Sequence, residues 1–599
     1  MQSAPENLYK ARVDQLNIEL KQLLKKRYAL GWTRFLVFTA TILISYKVFV
    51  ATGLAGFYVV ISRLAILLFL ISIDVDNTRK ILNTKTLIRV NEEEQKFLHK
   101  DYEHFYEGSE IAPASHDYAN DLDLFGKYSL YQWMNRCYTE QGRSKLAANL
   151  LSPLNAGTIA ERHEAIKEIT GALEWRQQLQ AYAMQTAITK KTEQKTKEWL
   201  SEQEKHFIHP GWRIFIEIYS FIAIASAIAA IFEWIPLSTF TILFLIYFFV
   251  SGYLSKSATE AYIHLTGIVK EINTLQLAVA WIESKEFKSP LLKRLCEESR
   301  PPGKSAATQI KSLKGILDRF DMRLNFAAFL FLNSFLLWDV RQMIALNKWR
   351  KTNRMHAENW FSMIAEMEVL HSFSTLHFNQ PAWAFPQFTE QHLTFQGICL
   401  GHPLIPADHR IDNDFTIQGV AKIGLITGSN MAGKSTFLRS LGVNILLAQA
   451  GAPVCAKSLT LSPVRLMSSM RIADNLAENT STFYAELKKL KTIIEAANRH
   501  EHAFILLDEI LRGTNSFDRH KGSEALIAQL IREKAVAVIA THDVELAVLQ
   551  EEFPNAVENY NFDVQVEGEE LYFDYKLKHG VCTSMNASIL MKKIGIELA

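Results

Sequence analysis

Little in this sequence points to an extracellular, metal-scaffolded or strongly basic protein. Its five cysteines, Cys137, Cys296, Cys399, Cys455 and Cys582, are scattered without metal-ligand spacing. That excludes a zinc ribbon or a disulfide framework and fits a reducing compartment. Lys and Arg number 65 against 63 Asp and Glu, a net charge of only +2, so no global basic field advertises nucleic acid. Low-complexity tracts are missing. No cleavable signal pattern opens the chain, and residues 5 to 28 read instead as a charged amphipathic helix. Charge itself is absent from residues 218 to 232 and again from 234 to 255.

Those uncharged stretches have the length of membrane spans. Ile214–Phe232 and Ile235–Leu254 each approach the ~20 apolar residues that cross a bilayer core. Trp234-Ile-Pro236 between them reads as a short turn with Trp at the interface. An earlier pair, Phe35–Leu54 and Ala55–Ile73, is apolar but contains Lys47 and Arg63. Such charges are costly at bilayer depth unless they snorkel or pair, so a buried soluble hairpin is the alternative for this pair. Phe326–Trp338 is too short to span and reads as a core helix. Lys25-Lys-Arg27, Arg34, Arg79-Lys80, Arg213 and Lys256 flank the two pairs, whereas the turns are short and cation-poor. Positive-inside reasoning predicts four spans in the inner (cytoplasmic) membrane, with both termini and all large segments in the cytoplasm.

The last third of the chain carries chemistry. Gly428-Ser429-Asn430-Met431-Ala432-Gly433-Lys434-Ser435 fits G-x-x-x-x-G-K-[ST], a loop whose backbone amides cradle phosphates. The apolar run Ile423–Thr427 reads as the strand before it, and Ser435–Ala450 as the helix after it. Phe504–Leu507 reads as a second buried strand, closed by Asp508 and followed by Glu509, where a Walker B carboxylate sits. The pattern predicts a nucleotide-binding protein using ATP and Mg²⁺.

Ala473–Leu487, containing Ser481-Thr482-Phe483, precedes that second strand. Asp508-Glu509-Ile-Leu-Arg512-Gly513-Thr514 continues from it, and Ala540-Thr541-His542 ends a third. In order and spacing these resemble the ATPase domain of the MutS family, with its T-G-x-N-M-x-G-K-S-T loop, S-T-F signature, D-E-x-x-R-G-T and A-T-H. A weaker likeness runs upstream, through Leu122–Trp133, Pro153-Leu154, Ile159–Arg162, Gly401–Leu404 and Asn413–Phe415. Several positions depart from the pattern: Ser429 replaces Pro, while Ala432, Asn479 and Arg519 replace Gly. Ala in the loop is tolerable only where it avoids positive φ.

Roles follow from what each position must do. Lys434 neutralises phosphate charge, and the amides of Asn430 through Thr436 with the helix N-terminus hold oxygens. Ser435 and Asp508 hold Mg²⁺, while Glu509 orients or activates the attacking water. The resemblance implies that His542 contacts the γ-phosphate or that water. It also implies that Ser481 and Thr482 reach the nucleotide of a second subunit in a homodimer with composite sites, Asn515 and Ser516 lying along the interface.

Two features bear on DNA. Between Glu286 and Arg354 there are 14 Lys/Arg against 6 Asp/Glu, which reads either as a phosphate-backbone contact or, with more weight, as a solvated or membrane-facing helical face. Phe105-Tyr106-Glu107 resembles the mismatch-reading Phe-x-Glu of MutS proteins, but the strands of that domain are missing around it, so no mismatch-specific readout is expected.

The expected fold is α plus α/β. An N-terminal helix (1–33) leads to a first transmembrane hairpin (34–74) and a helical region (75–212) whose core-like start covers about 122–173. A second hairpin (213–255), a helical lever (256–400) and a P-loop ATPase domain (401–599) complete the chain. Three functions fit: a membrane-anchored MutS-like ATPase acting on DNA, the same motor acting on a protein or lipid partner, and, with least support, an ABC-type transporter half.

Overall fold

The computed structural model describes residues 5–53, 56–202, 207–429, 432–471, 482–499, 502–567 and 570–582. Within them the chain forms 19 α-helices and two β-sheets. Helices α1 (Pro5–Thr52) and α2 (Gly56–Leu98) pack against each other. Their charged halves join the helical body: Tyr9 donates its hydroxyl to Asn379 at 2.8 Å, and Leu16, Leu87 and Ile88 are buried with Ala181. Arg34 meets Asp74 at 3.0 Å where the apolar halves begin. α1 runs through residue 33 as one helix, so the segment boundary expected there falls inside it.

Short helices α3 (Leu130–Met134), α4 (Glu140–Leu151), α5 (Ala156–Thr170), α6 (Leu173–Gln185) and α7 (Lys190–Ser201) follow. Side chains of Ser129, Thr139, Asn155 and Thr189 cap α3, α4, α5 and α7, accepting amides that the first turn leaves unpaired. Next come α8 (Gly211–Ile231), α9 (Leu237–Thr266), α10 (Val269–Glu283), α11 (Pro290–Ser299), α12 (Ala306–Asp321), α13 (Phe326–Leu336), α14 (Trp338–Asn353) and α15 (Ala357–Asn379).

α15 is the axis of this body, buried on every side from Met363 through Leu376. Its polar residues survive burial because each finds a partner. Glu366 pairs with Arg162, His371 with Gln180 at 3.0 Å, and the Ser372 hydroxyl accepts from the Arg136 amide at 3.0 Å. Glu368 accepts from the Tyr138 and Thr139 amides and the Thr139 hydroxyl. Burial nevertheless pushes its carboxyl up to about 7. A raised carboxyl stabilises the fold fully below its unfolded value near 4.3, and that contribution is lost as pH rises through about 7. Glu368→Gln is therefore expected to gain thermal stability relative to the parent as pH goes from 5 to 8, on the order of 1 kcal/mol or more. Melting curves at both pH values check this, and a gap that shrinks over that range contradicts it.

Three helices are long and apolar enough to cross a membrane, among the described residues: the Pro5–Ala51 part of α1, α8, and Leu237–Ala258 of α9. None of the apolar window of α1 is buried, and less than a quarter of those in α8 and α9. Ile42 and Val50 of α1, and Phe221, Ile231 and Phe249 of α8 and α9, are exposed. The start of α2, expected as a return span, is not among the three, although it exposes Ile61, Leu64, Leu68 and Phe69. Lys47 is exposed. α9 runs past residue 255 to Thr266, so the expected boundary there falls inside a helix. Phe326–Trp338 is not a core helix either: within α13 only Asn333 and Ser334 are buried.

The α/β part begins before residue 401. Strands β1 (Gln387–Phe388), β2 (Thr394–Leu400), β3 (Asn413–Gln418) and, later, β5 (Ser458–Leu461) form one sheet in the order β1-β5-β2-β3. The second sheet uses β4 (Lys422–Gly428), β6 (Arg465–Ser469), β7 (Ala503–Asp508), β8 (Val536–Thr541), β9 (Val557–Glu567) and β10 (Glu570–His579), in the order β10-β9-β4-β8-β7-β6. All its pairings are parallel except β9 with β10. β7 and β8 are buried along their whole length, as a sheet covered on both faces requires. On one face lies α16 (Lys434–Ala450), in a core continuous with the helical body; on the other lie α17 (Thr482–Asn498), α18 (Ser516–Arg532) and the short α19 (Leu549–Glu552).

Candidate active site

β4, β8 and β7 are neighbours and parallel, so their C-terminal ends open on one edge of the sheet, where open α/β sheets bind ligands. β4 ends at Gly428, β8 at Thr541 before His542, and β7 at Asp508 before Glu509. A cleft of about 470 Å³ lies there, within the range of small-molecule sites. Ser429, Ala432 through Thr436 and Glu509 line it.

The loop geometry explains its glycines. Gly428 has φ 151°, and a Cβ there would stand 2.6 Å from the Phe562 carbonyl oxygen. Gly433, at φ 102°, caps α16 in the left-handed region. Ala432 is not among the residues with positive φ, so its methyl is accommodated. Arg519 sits in the first turn of α18, its amide bonded to the Asn515 carbonyl, where glycine has no advantage. Asn430, Met431, Asn479 and Ser481 lie outside the described residues, and so does the side chain of Thr482.

Lys434 is 4% exposed and donates to the carbonyls of Gly428 at 2.7 Å and Ser429 at 2.9 Å. Burial lowers its pKa, opposed by Glu509 and Asp508. The Ser435 hydroxyl bonds the Asp508 carboxylate, whose pKa burial raises. Asp508 Oδ1 is buried with no hydrogen-bond partner among the described residues. An orphaned carboxylate oxygen beside a hydroxyl is the hard-oxygen set a Mg²⁺ ion takes, so the residues fit that cation. The Lys434 ammonium and the amide-rich start of α16 fit its phosphates.

Glu509 is held in the left-handed region at φ 48°, and Leu511 at φ 60°. Non-glycine residues cost roughly 1 kcal/mol or more there and collect at functional sites. The strain is braced by Glu486 of α17, which accepts the Leu511 amide, and by the Glu509 amide donating to Ala540 at 2.9 Å. The bend aims Glu509 at His542 Nε2, and that hydrogen bond, ahead of other causes, holds its carboxyl below the ordinary value. His542 Nδ1 faces Lys434 Nζ at 3.3 Å. With the imidazole proton on Nε2, this forms a chain Lys434–His542–Glu509 across the cleft.

Phe483 packs on Gly513, where a Cβ would approach it to 2.5 Å, and Asn515 caps α18 by accepting the Asp518 amide at 2.9 Å. Phe105 is occupied as well, packed on Phe97 at 4.3 Å between ring centroids.

Other parts of the site were given no role by the motif reading, although its weaker upstream likeness included His402 and Asn413. His402, Arg410, Ile411 and Tyr575 also line the cleft, and Tyr575 lies against the P-loop, where a Cβ at Gly433 would meet its ring at 3.0 Å. His402 is pushed down to about 4 by burial and then by Arg439, Lys100 and Arg410. Asn413 pins the β9–β10 hairpin over the cleft, donating to the Tyr575 carbonyl at 3.1 Å and accepting from the Leu577 amide at 2.8 Å. Lys100, just beyond α2, donates to the Pro403 carbonyl at 2.7 Å.

An acidic clasp is the second omission. Asp121 accepts from Lys489 and from the Ser468 hydroxyl, both at 2.6 Å, and from the Arg471 amide at 3.1 Å. Asp123 takes Arg439 at 2.8 Å and Arg471, and Asp117 takes Arg465 at 2.8 Å. Leu122 between them presses on α16 so closely that a Cβ at Gly442 would meet it at 2.7 Å. The segment after α2 is thereby fastened to the P-loop helix and to both flanks of the signature.

A family profile described as MutS domain V matches residues 424–594. The DNA mismatch repair protein MutS of Thermotoga petrophila is 31% identical over 252 residues, 41% of this chain and 30% of that protein. Its namesake in Chlorobium phaeovibrioides is 35% identical over 227 residues, 36% of this chain and 25% of that protein. The chain thus spans less than a third of the length of these curated relatives. Residues 424–594, whose motifs converge on one cleft, thus form a domain of the MutS domain V family.

Proposed function

We propose that this protein is a membrane-anchored ATPase whose nucleotide cycle drives a conformational change in the helical body. The supporting observation is the convergence of Lys434, Ser435, Asp508, Glu509 and His542 on one cleft at the ends of adjacent strands. ATP supplies the phosphoanhydride and Mg²⁺ the charge neutralisation. Lys434 and the start of α16 bind phosphate oxygens, Ser435 and Asp508 hold the cation, and Glu509, oriented by His542, positions water. Ser481 and Thr482 complete the site of a second copy, so that ATP favours a dimer. The uncovered apolar faces of α1, α8 and α9 support anchoring, with the ATPase domain on the cytoplasmic side.

DNA is the substrate suggested by the relatives' name. A specific observation favours the alternative, a protein or lipid partner. The basic stretch from Glu286 to Arg354 is partly neutralised by acids from outside it: Glu161 on Arg294, Glu283 on Arg300 and Glu217 on Arg341. Purified detergent-solubilised protein decides between them, assayed for ATPase with duplex, mismatched and branched DNA across a salt series. Stimulation that fades with salt supports DNA; robust turnover indifferent to every DNA supports the alternative. No turnover under any condition overturns the enzyme reading, and extraction of the protein from membranes by carbonate overturns the anchor.

A further inference from the structure

The stretch Met322–Leu337 is built inside out for a water-facing element. Met322, Leu324, Phe326 and Phe331 are 41%, 73%, 76% and 59% exposed, a contiguous apolar surface on α13 and the 3₁₀ turn before it. The two polar side chains within α13, Asn333 and Ser334, are turned inward at 2% and 0% exposure. Asn333 Oδ1 accepts the Asp339 amide at 2.9 Å, and the Ser334 carbonyl accepts the Tyr219 hydroxyl at 2.9 Å. Asn333 Nδ2 and Ser334 Oγ have no hydrogen-bond partner among the described residues, but polar groups turned inward and apolar groups outward is the arrangement lipid favours.

Its position agrees. α13 packs on both α8 and α9: Phe335 meets Phe244 at 5.8 Å and Tyr247 at 6.5 Å between ring centroids. It thus lies beside two helices that themselves expose Phe221 and Phe249, at 75% and 69%. α13 with α14 has the composition of a bent span, but α13 alone is too short to cross and its flanks close on each other. Eleven residues make roughly 16 Å of helix against a hydrocarbon core of about 30 Å. The two flanks are also held together, since Trp338 Nε1 donates to the Arg319 carbonyl at 2.9 Å and Arg319 Nε to Gln342 at 2.7 Å. Leu337, at φ 47°, then turns the chain by 77° into α14.

We infer that α13 and the turn before it form a lipid-contacting element that enters the bilayer beside the α8–α9 hairpin and leaves on the side it entered. The inference rests on α8 and α9 being embedded. The acyl region of the bilayer is its occupant, because the exposed Met322, Leu324, Phe326 and Phe331 are apolar and the element adjoins two helices of spanning length. The turn's one charge, Arg323, is 13% exposed and turned toward Asp339 at 3.6 Å. Through α14, tied to α8 by Arg341 on Glu217 at 2.6 Å, this element connects the membrane to the buried axis α15.

The test uses the full chain in phosphatidylethanolamine–phosphatidylglycerol vesicles. Cys399→Ser and Cys582→Ser remove the accessible thiols, leaving three buried ones. A nitroxide is then placed by Phe331→Cys, by Phe249→Cys as the α9 reference, or by Lys491→Cys as an exposed reference on α17. Collision with oxygen is compared with collision with a water-soluble nickel chelate. The expected oxygen-to-nickel ratio at 331 is several-fold above that at 491 and close to that at 249. A water-like ratio at 331 with a lipid-like ratio at 249 overturns the inference and leaves the anchor intact. Water-like ratios at both sites overturn the two together. Shielding of 331 from both reagents, with spin–spin broadening between copies, shows a second copy on this face and also overturns it.

Discussion

Lys434→Ala is expected to weaken nucleotide binding by about 100-fold or more, roughly 2.7 kcal/mol. The ammonium is buried on its own loop, with the Gly428 and Ser429 carbonyls as partners and Asp508 and Glu509 nearby. A phosphate chain entering the cleft offers it anionic acceptors, and charge-assisted hydrogen bonds contribute about 1.5–3 kcal/mol each. Alanine removes the donor and leaves a gap beside the two carbonyls. Lys434→Met keeps most of the volume, so similar losses in both variants assign the effect to charge. Titration with a fluorescent ATP analogue measures it, and melting curves confirm folding. Parent-like affinity in a folded Lys434→Met protein contradicts the assignment of this cleft.

Glu509→Gln is expected to keep nucleotide affinity within a few-fold while turnover falls by about 10²–10⁴, the range for a positioned general base. The two side chains have the same shape, so the strained turn at φ 48° and its brace through Glu486 persist. The charge opposite His542 is what disappears. A carboxyl held low by that hydrogen bond is a weak base. It works first by orienting water, with the proton passing as the new P–O bond forms. With hydrolysis blocked, ATP-bound protein accumulates and is expected to sediment as a dimer. Near-parental turnover removes Glu509 from the mechanism; slow turnover in a monomer leaves that role and removes the composite site.

The motifs that meet in the cleft were legible from residue order alone. A glycine-rich loop after an apolar strand, and a carboxylate pair after another, are local patterns, because each element's ends are set by neighbours in sequence. The uncharged lengths of α8 and α9 were equally local. Even the tolerance of Ala432 reduced to one backbone angle.

What the sequence by itself determined, then, was which residues can do chemistry and which segments are apolar. Tertiary structure decided what they face. Asp121 carries no local sign that Lys489 and Ser468 will close on it, and Tyr575 none that Asn413 will pin it above the cleft. The apolar run from Phe326 showed the limit most clearly, since a buried core helix and a lipid-facing one share the same composition. Only the inward turn of Asn333 and Ser334, and the uncovered faces of Phe326 and Phe331, separate the two. Burial is a property of neighbours, and these neighbours come from distant parts of the chain.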